Sequence, residues 1–248
     1  MLSYHPVFEV FASHRTIRKF TGDPIPLENL DAIIEAGRRA PSDASALMGT
    51  FIRITDPALR SRLSKLSGEQ RHIIDGAEFF VVCMDVFRLR RLVEHRGGEY
   101  GMGPLISLLF GITDAILVAQ NMVVAAEALG YATCYIGGVQ NNADEIGTEL
   151  NLPEGVLPVV GLVLGVPAEG ETEKPTRPRI PRQAAFMENR YRQMTPELLD
   201  ACYQAMSSYH RSGDWYNALK HYFTSEGSMP RREPDLRRAL AQQGRLPE

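Results

Sequence analysis

Two clusters of cations stand out along a chain that is slightly acidic overall. His14, Arg15, Arg18 and Lys19 crowd one short stretch near the start, and Arg177, Arg179 and Arg182 crowd another. The 248 residues carry 27 Lys and Arg against 30 Asp and Glu, a formal net charge of -3. Local basic clusters on such a background point to a specific anion rather than to a nucleic acid held by bulk positive charge. A guanidinium fork meets two phosphate oxygens at once, so arginine is the residue type that such an anion selects. By residue type alone, two readings stay open: solvated surface loops, or two parts of an anion site.

Other chemistries lack their motifs. There is no GxxxxGK[ST] loop, no GxSxG elbow and no GxGxxG following a strand; Gly98, Gly101 and Gly103 have the wrong spacing. The six histidines form no HxH or HExxH pair, so no metal is expected. Cys83, Cys134 and Cys202 are odd in number and widely spaced. They build neither a disulfide framework nor a zinc site and suit a reducing cytoplasm. Tyr216 to Lys220 matches YxxxK without a glycine-rich nucleotide loop to go with it, and reads as a helix surface.

The elements that must position these groups follow from hydrophobic spacing. Helices are expected over 7–13, from Leu27 to about Ala40, from Pro57 with Leu59, Leu63 and Leu66 on one face, and over 143–150. Phe51 to Ile54, Tyr131 to Ile136 and Val156 to Val166 read as strands. Glu78 to Met84, a continuous apolar run, reads as a buried central strand. Arg88 to Gly103, basic and then glycine-rich, reads as a mobile surface segment. Residues 104–130 read as one long helix buried in protein, not a membrane span, because Asp114, Gln120 and Asn121 interrupt it. A proline-rich charged loop occupies 168–182. Helices return over 196–210 and 214–222, with a short one from Asp235. Four strands among many helices indicate an α+β fold, one sheet with helices on both faces.

The order of several motifs narrows the choice. His14-Arg15-Thr16-Ile17-Arg18-Lys19-Phe20 is similar to the opening signature of the nitroreductase family of FMN-dependent NAD(P)H oxidoreductases. Ala40-Pro41-Ser42-Asp43 stands where that family has a serine-rich turn, and Ser67-Gly68-Glu69-Gln70-Arg71-His72 resembles its glycine-glutamine segment. Asp114 to Glu127 resembles its central helix. Cys134-Tyr135-Ile136-Gly137-Gly138 with Asn141-Asn142 resembles its YIGG-x-x-N turn, Arg177-Pro178-Arg179-Ile180-Pro181 its anion clamp, and Glu188-Asn189 the sequence beyond. The resemblance covers about residues 10–195 and is nearest to the larger, NADPH-preferring flavin reductase and oxygen-insensitive nitroreductase branch.

The resemblance implies a mostly antiparallel sheet flanked by helices, in an intertwined homodimer that binds FMN without covalent attachment. It implies a core over 1–195 and a helical extension over 196–248 that packs on the partner subunit or the rim of the site. His14, Arg15, Thr16 and Arg18 would hold the phosphate, ribityl chain and pyrimidine edge, and Arg177 and Arg179 would close on the phosphate. Ser42, Asp43, Ser45, Gln70 and His72 would line the flavin, with Tyr135, Ile136, Gly137 and Gly138 along the ring. Ser45, Gln140 and Arg211 would meet the substrate. By residue type, Arg211, Arg231 and Arg232 leave two readings open: contacts to a nicotinamide 2′-phosphate, or solvated helix and loop charges. NAD(P)H, with NADPH favoured, would reduce the flavin, and a nitroaromatic, quinone or related small molecule would take the electrons in a ping-pong cycle. No catalytic side chain is required, and neither nucleic acid nor membrane is a partner. Two alternatives remain: a reductase supplying reduced FMN to a partner enzyme, or a non-catalytic flavin- or anion-binding dimer. The chain departs from the family pattern at Asp43, Ala44, Ser45, Leu47 and Gln140. Ser45 and Gln140 stand where close relatives carry an aromatic and an arginine, which implies a wider, less cationic pocket.

Overall fold

A computed structural model describes residues 5–208 and 214–242. Its centre is a four-stranded antiparallel sheet made of β1 (Gly49–Arg53), β2 (Glu78–Asp85), β3 (Ala132–Ile136) and β4 (Val156–Gly165), in the order β1-β2-β4-β3. The helices are α1 (Pro6–Ser13), α2 (Leu27–Arg38), α3 (Pro57–Leu66), α4 (His72–Asp75), α5 (Val86–His95), α6 (Pro104–Ala128), α7 (Ala143–Glu149), α8 (Arg182–Ala185), α9 (Pro196–Ala205), α10 (Trp215–Phe223) and α11 (Glu233–Gln242). The α+β class and the antiparallel sheet agree with the expectation. The chain divides into two compact units, one of residues 1–174 with 234–248 and one of 175–233.

Every residue of β2 and β4 is buried, because helices cover both faces of the sheet. Strand alternation sorts the side chains. Phe79, Val81 and Cys83 pack with Leu63 of α3, Ile73 of α4 and Ile146 of α7. Val82 and Met84 face Ala115 and Ala119 of α6, and Phe80 faces Val118 and Met122 of the same helix together with Leu30 and Ile33 of α2. Leu236, Ala239 and Leu240 of α11 join the cluster around Met84.

Two expectations need correction. The stretch read as a mobile surface segment from Arg88 is helical as far as His95. Asp85 caps that helix by accepting from the Arg88 N–H, and Leu89 packs on the core; the run of basic residues on the outer face masked this spacing. The long helix is also not buried all round. Its length and hydropathy meet the compositional test for a membrane span, yet one flank lies on the sheet while Leu105, Ile106, Leu109 and Ile116 are exposed. Leu105 is 69% exposed.

Candidate functional site

The first cationic cluster is laid along the free edge of the sheet. After α1 the chain runs beside β3: Thr16 bridges Thr133 in the parallel sense, the Ile17 N–H donates to the Thr133 carbonyl at 3.1 Å, and Phe20 bridges Pro167. Ile17 is buried, while Arg18 and Lys19 are exposed. His14 Nδ1 lies 2.8 and 3.0 Å from the two carboxylate oxygens of Glu127 on α6. The Thr133 hydroxyl donates to the same carboxylate at 2.6 Å. Arg15 donates through Nε to the Lys174 carbonyl at 2.6 Å. A cavity of about 310 Å³ borders this segment, lined by Ser13, Arg15, Ile17, Glu127, Tyr131 and Thr172 among others.

A second segment meets the end of β3. Between α3 and α4, Gly68 and Glu69 are both left-handed, with φ of 88° and 57°. The turn after β3 packs on this bend so tightly that a Cβ on Gly138 would stand 2.0 Å from the Ser67 carbonyl oxygen; only glycine fits. Gly137 faces open space. Ser67 Oγ, His72 Nε2 and Asn141 Oδ1 are buried here without a hydrogen-bond partner among the described residues. Burial, with the nearby Arg18 charge, holds the His72 pKa below its ordinary value, so its imidazole is neutral at neutral pH. Tyr135 donates its hydroxyl to Gln120 at 3.2 Å, and burial, with the Glu127 charge, pushes its phenol pKa up. Gln70 donates to the Gly68 carbonyl at 3.3 Å.

Ser42, Asp43 and Ser45 lie on a different structure, the loop between α2 and β1. Three of its residues, Ala44, Ser45 and Leu47, are left-handed without being glycine. One side chain from α6 holds it. Asp114, 1% exposed, accepts from the Ser42 hydroxyl at 2.6 Å, the Asp43 N–H at 3.0 Å and the Met48 N–H at 2.8 Å. Arg88 grips the Leu47 and Gly49 carbonyls from the other side. A cavity of about 370 Å³ adjoins this loop, lined by Pro41, Ser42, Leu47, Phe51, Arg88 and Val118 among others.

The structure therefore brings His14, Arg15, Thr16 and Arg18 together with Gln70, His72 and the segment from Tyr135 through Ile136, Gly137 and Gly138. It does not bring Ser42, Asp43 and Ser45 to them. The anchors Glu127 and Asp114 stand thirteen residues apart on α6, about 20 Å along its axis. Gln140 is half-buried and donates its amide to the Val159 carbonyl at 2.7 Å. In the second unit, Arg177 and Arg179 are exposed; Arg179 donates to the Arg177 and Pro178 carbonyls at 2.9 and 3.1 Å. Arg231 donates to the Glu226 carbonyl and Arg232 is half-buried, while Arg211 lies outside the described residues. Cys83, Cys134 and Cys202 are buried and form no disulfide with one another, and burial pushes the Cys83 thiol up to about 12, so it is no nucleophile at neutral pH.

The profile of the nitroreductase family matches residues 11–166, which include the whole sheet and both anchors. The chain belongs to this family. Over 243 residues it is 35% identical to an oxygen-insensitive NADPH nitroreductase of Salmonella typhimurium, covering 97% of this chain and 93% of that one. An FMN reductase (NADPH) of Bacillus subtilis is 33% identical over 208 residues, covering 82% of each chain. Among solved structures, B. megaterium NfrA2 superposes with a TM-score of 0.89 at 30% identity, covering 99% of this chain and 100% of that one. The NADPH:FMN oxidoreductase of Vibrio harveyi, complexed with NAD+, superposes with a TM-score of 0.86 at 29% identity, covering 97% and 98%.

For a nitroreductase the residues present fit FMN. The edge segment offers cations to a phosphate, the bend and turn offer three unsatisfied buried polar atoms to a heterocycle, and Gly137 leaves room for a flat ring. Two anchoring residues escaped sequence reasoning. Asp114 and Glu127 lay inside the segment that resembles the central helix of the family, but spacing does not reveal a partner 113 or 72 residues away. The available signal was a carboxylate inside an otherwise apolar helix, which has to find donors.

Proposed function

We propose that the protein is a homodimeric FMN oxidoreductase. It takes two electrons at a time from NAD(P)H, NADPH favoured, and passes them to small acceptors such as nitroaromatics and quinones. Bound FMN supplies the hydride acceptance and the two-electron delivery. The side chains bind and orient. His14, Arg15, Thr16 and Arg18 hold the phosphate, ribityl chain and pyrimidine edge, and Arg177 and Arg179 close on the phosphate. Gln70 and neutral His72 face the heterocycle. Tyr135 to Gly138 run along the ring, with the glycine backbone approaching it. Ser45, Gln140 and Arg211 border the acceptor. Three buried cysteines outside any disulfide with one another fit a reducing cytoplasm.

The observation that carries this reading is the wired cationic edge beside the orphaned polar atoms at Ser67, His72 and Asn141. The distance from Ser42, Asp43 and Ser45 to that edge supports the dimer: a second copy docked on the exposed α6 flank supplies its own 42–48 loop to the site. Of the extension over 196–248, α9 and α10 then cover the partner or the rim of the site, while α11 packs on its own core.

The purified protein is expected to be yellow, with about one FMN per chain released on denaturation, and to have the light-scattering mass of two chains. Protein that stays colourless when incubated with FMN overturns the reading, and a one-chain mass overturns the dimer. Similarity to an FMN reductase and to an NADPH-flavin oxidoreductase supports a second reading, in which free flavin is the main acceptor. NADPH oxidation measured with a nitroaromatic, a quinone or free FMN separates the two. The absence of NADPH oxidation with all of them would leave only a non-catalytic dimer.

A further inference from the structure

We propose that Glu127 is a positioning residue for the anion end of the flavin site, acting through His14, with Thr133 holding Glu127 in turn. The inference rests on the FMN reading above. Both oxygens of Glu127 lie within 3.0 Å of the same ring nitrogen, His14 Nδ1. An ionised carboxylate only accepts, so Nδ1 carries the hydrogen and the ring orientation is fixed. Among the described residues Nε2, across the ring, has no partner. The carboxylate behind Nδ1 thus fixes which edge of the ring is left for a ligand. The Thr133 hydroxyl, donating to Oε1 at 2.6 Å, fixes the rotamer of Glu127. Its side chain is 12% exposed, against 33% for His14, so the pair is partly shielded from water.

A merely structural tether is a poor account of this contact. The backbone already fastens the segment to the sheet through the Ile17–Thr133 and Ala168–Lys19 hydrogen bonds. Removing the charge of Glu127 leaves these in place. What it removes is the group that aims the imidazole.

The test compares FMN with riboflavin, which lacks the phosphate, by fluorescence titration of the flavin-free protein. Glu127→Gln keeps the shape and one acceptor for Nδ1–H. It is expected to raise the Kd for FMN about tenfold and to leave the Kd for riboflavin within about twofold. Thr133→Val is expected to move FMN binding in the same direction by less. In a His14→Ala background, Glu127→Gln is expected to add nothing. An unchanged Kd for FMN, an equal loss for riboflavin, or an undiminished loss without His14 overturns the inference while leaving the FMN reading intact. A wild-type chain that takes up no FMN overturns both.

Discussion

The cationic edge, residues 14–20, and the loop of residues 42–48 both carry residues proposed to meet the flavin, but they are built on opposite principles. The edge is held by its backbone, which bonds to β3 and to the residues just past β4, and its side chains are adjusted afterwards by Glu127. The loop has two backbone hydrogen bonds of its own, from the Ser45 N–H to Ser42 at 3.4 Å and from the Ala46 N–H to Asp43 at 2.9 Å, and is otherwise held by side chains. Three non-glycine residues take left-handed conformations that cost roughly 1–2 kcal/mol each. A single buried carboxylate, Asp114, offsets that strain through three hydrogen bonds. Distributed backbone support makes the edge tolerant of side-chain change. Concentrated support makes the loop depend on two side chains from outside it, Asp114 and Arg88.

The largest expected effect tests that dependence. Asp114→Ala strands the buried Met48 N–H, the half-buried Asp43 N–H and a hydroxyl, and is expected to cost about 3 kcal/mol and to lower Tm by about 10 °C. A thermal shift below about 3 °C would break the contrast. Next, Arg18→Ala on the edge is expected to leave Tm near wild type while weakening FMN by about 1.5–3 kcal/mol in a titration. Unfolding of that variant would show the edge to be as fragile as the loop.

A smaller effect concerns His72, which the edge residue Arg18 faces. Its folded pKa lies below its ordinary value of 6.5. Below pH 6.5 the unfolded chain therefore binds more protons than the native one. The stability of the flavin-free protein is then full above about pH 6.5 and falls as pH drops towards the folded pKa. His72→Gln is expected to flatten that acid-side decline in urea melts; an identical decline in both proteins would remove His72 from the account. The smallest effect is a gain. Leu47 is exposed at a φ of 53°, and Leu47→Gly is expected to add about 0.5 kcal/mol, relief of strain less the added freedom of the unfolded chain. A loss of stability would mean that the left-handed turn is not strained.

These two regions also mark what the sequence made legible. The central strands were plain, because Glu78 to Met84 and Val156 to Val166 are apolar runs that only burial on both faces explains. The edge residues were found through the family signature, since their types and order carry the information. The attachment of that edge to β3 was not visible, because an isolated bridge between Thr16 and Thr133 has no period to detect. Asp114 was noticed only as a charge that argued against a membrane. Two of its three partners, the Asp43 and Met48 N–H groups about 70 residues earlier, have no side-chain signature at all. The helix of residues 86–95 was lost for a related reason: a cap supplied by Asp85, at the end of a strand, is invisible until the strand is known to stop there.

Helix α6 acts as a gauge. Asp114 and Glu127 sit thirteen residues apart on it, which at about 100° per residue turns one roughly 140° from the other around the axis. One grips the loop and the other tunes the edge, so the pitch of a single rod sets both the spacing and the bearing of two otherwise unconnected pieces. Substitutions along its surface leave that relation untouched. Inserting or deleting one residue between the two carboxylates swings one of them out of reach of its donors. In this chain a change of length between residues 114 and 127 is expected to cost one of the two contacts even where a change of residue type does not.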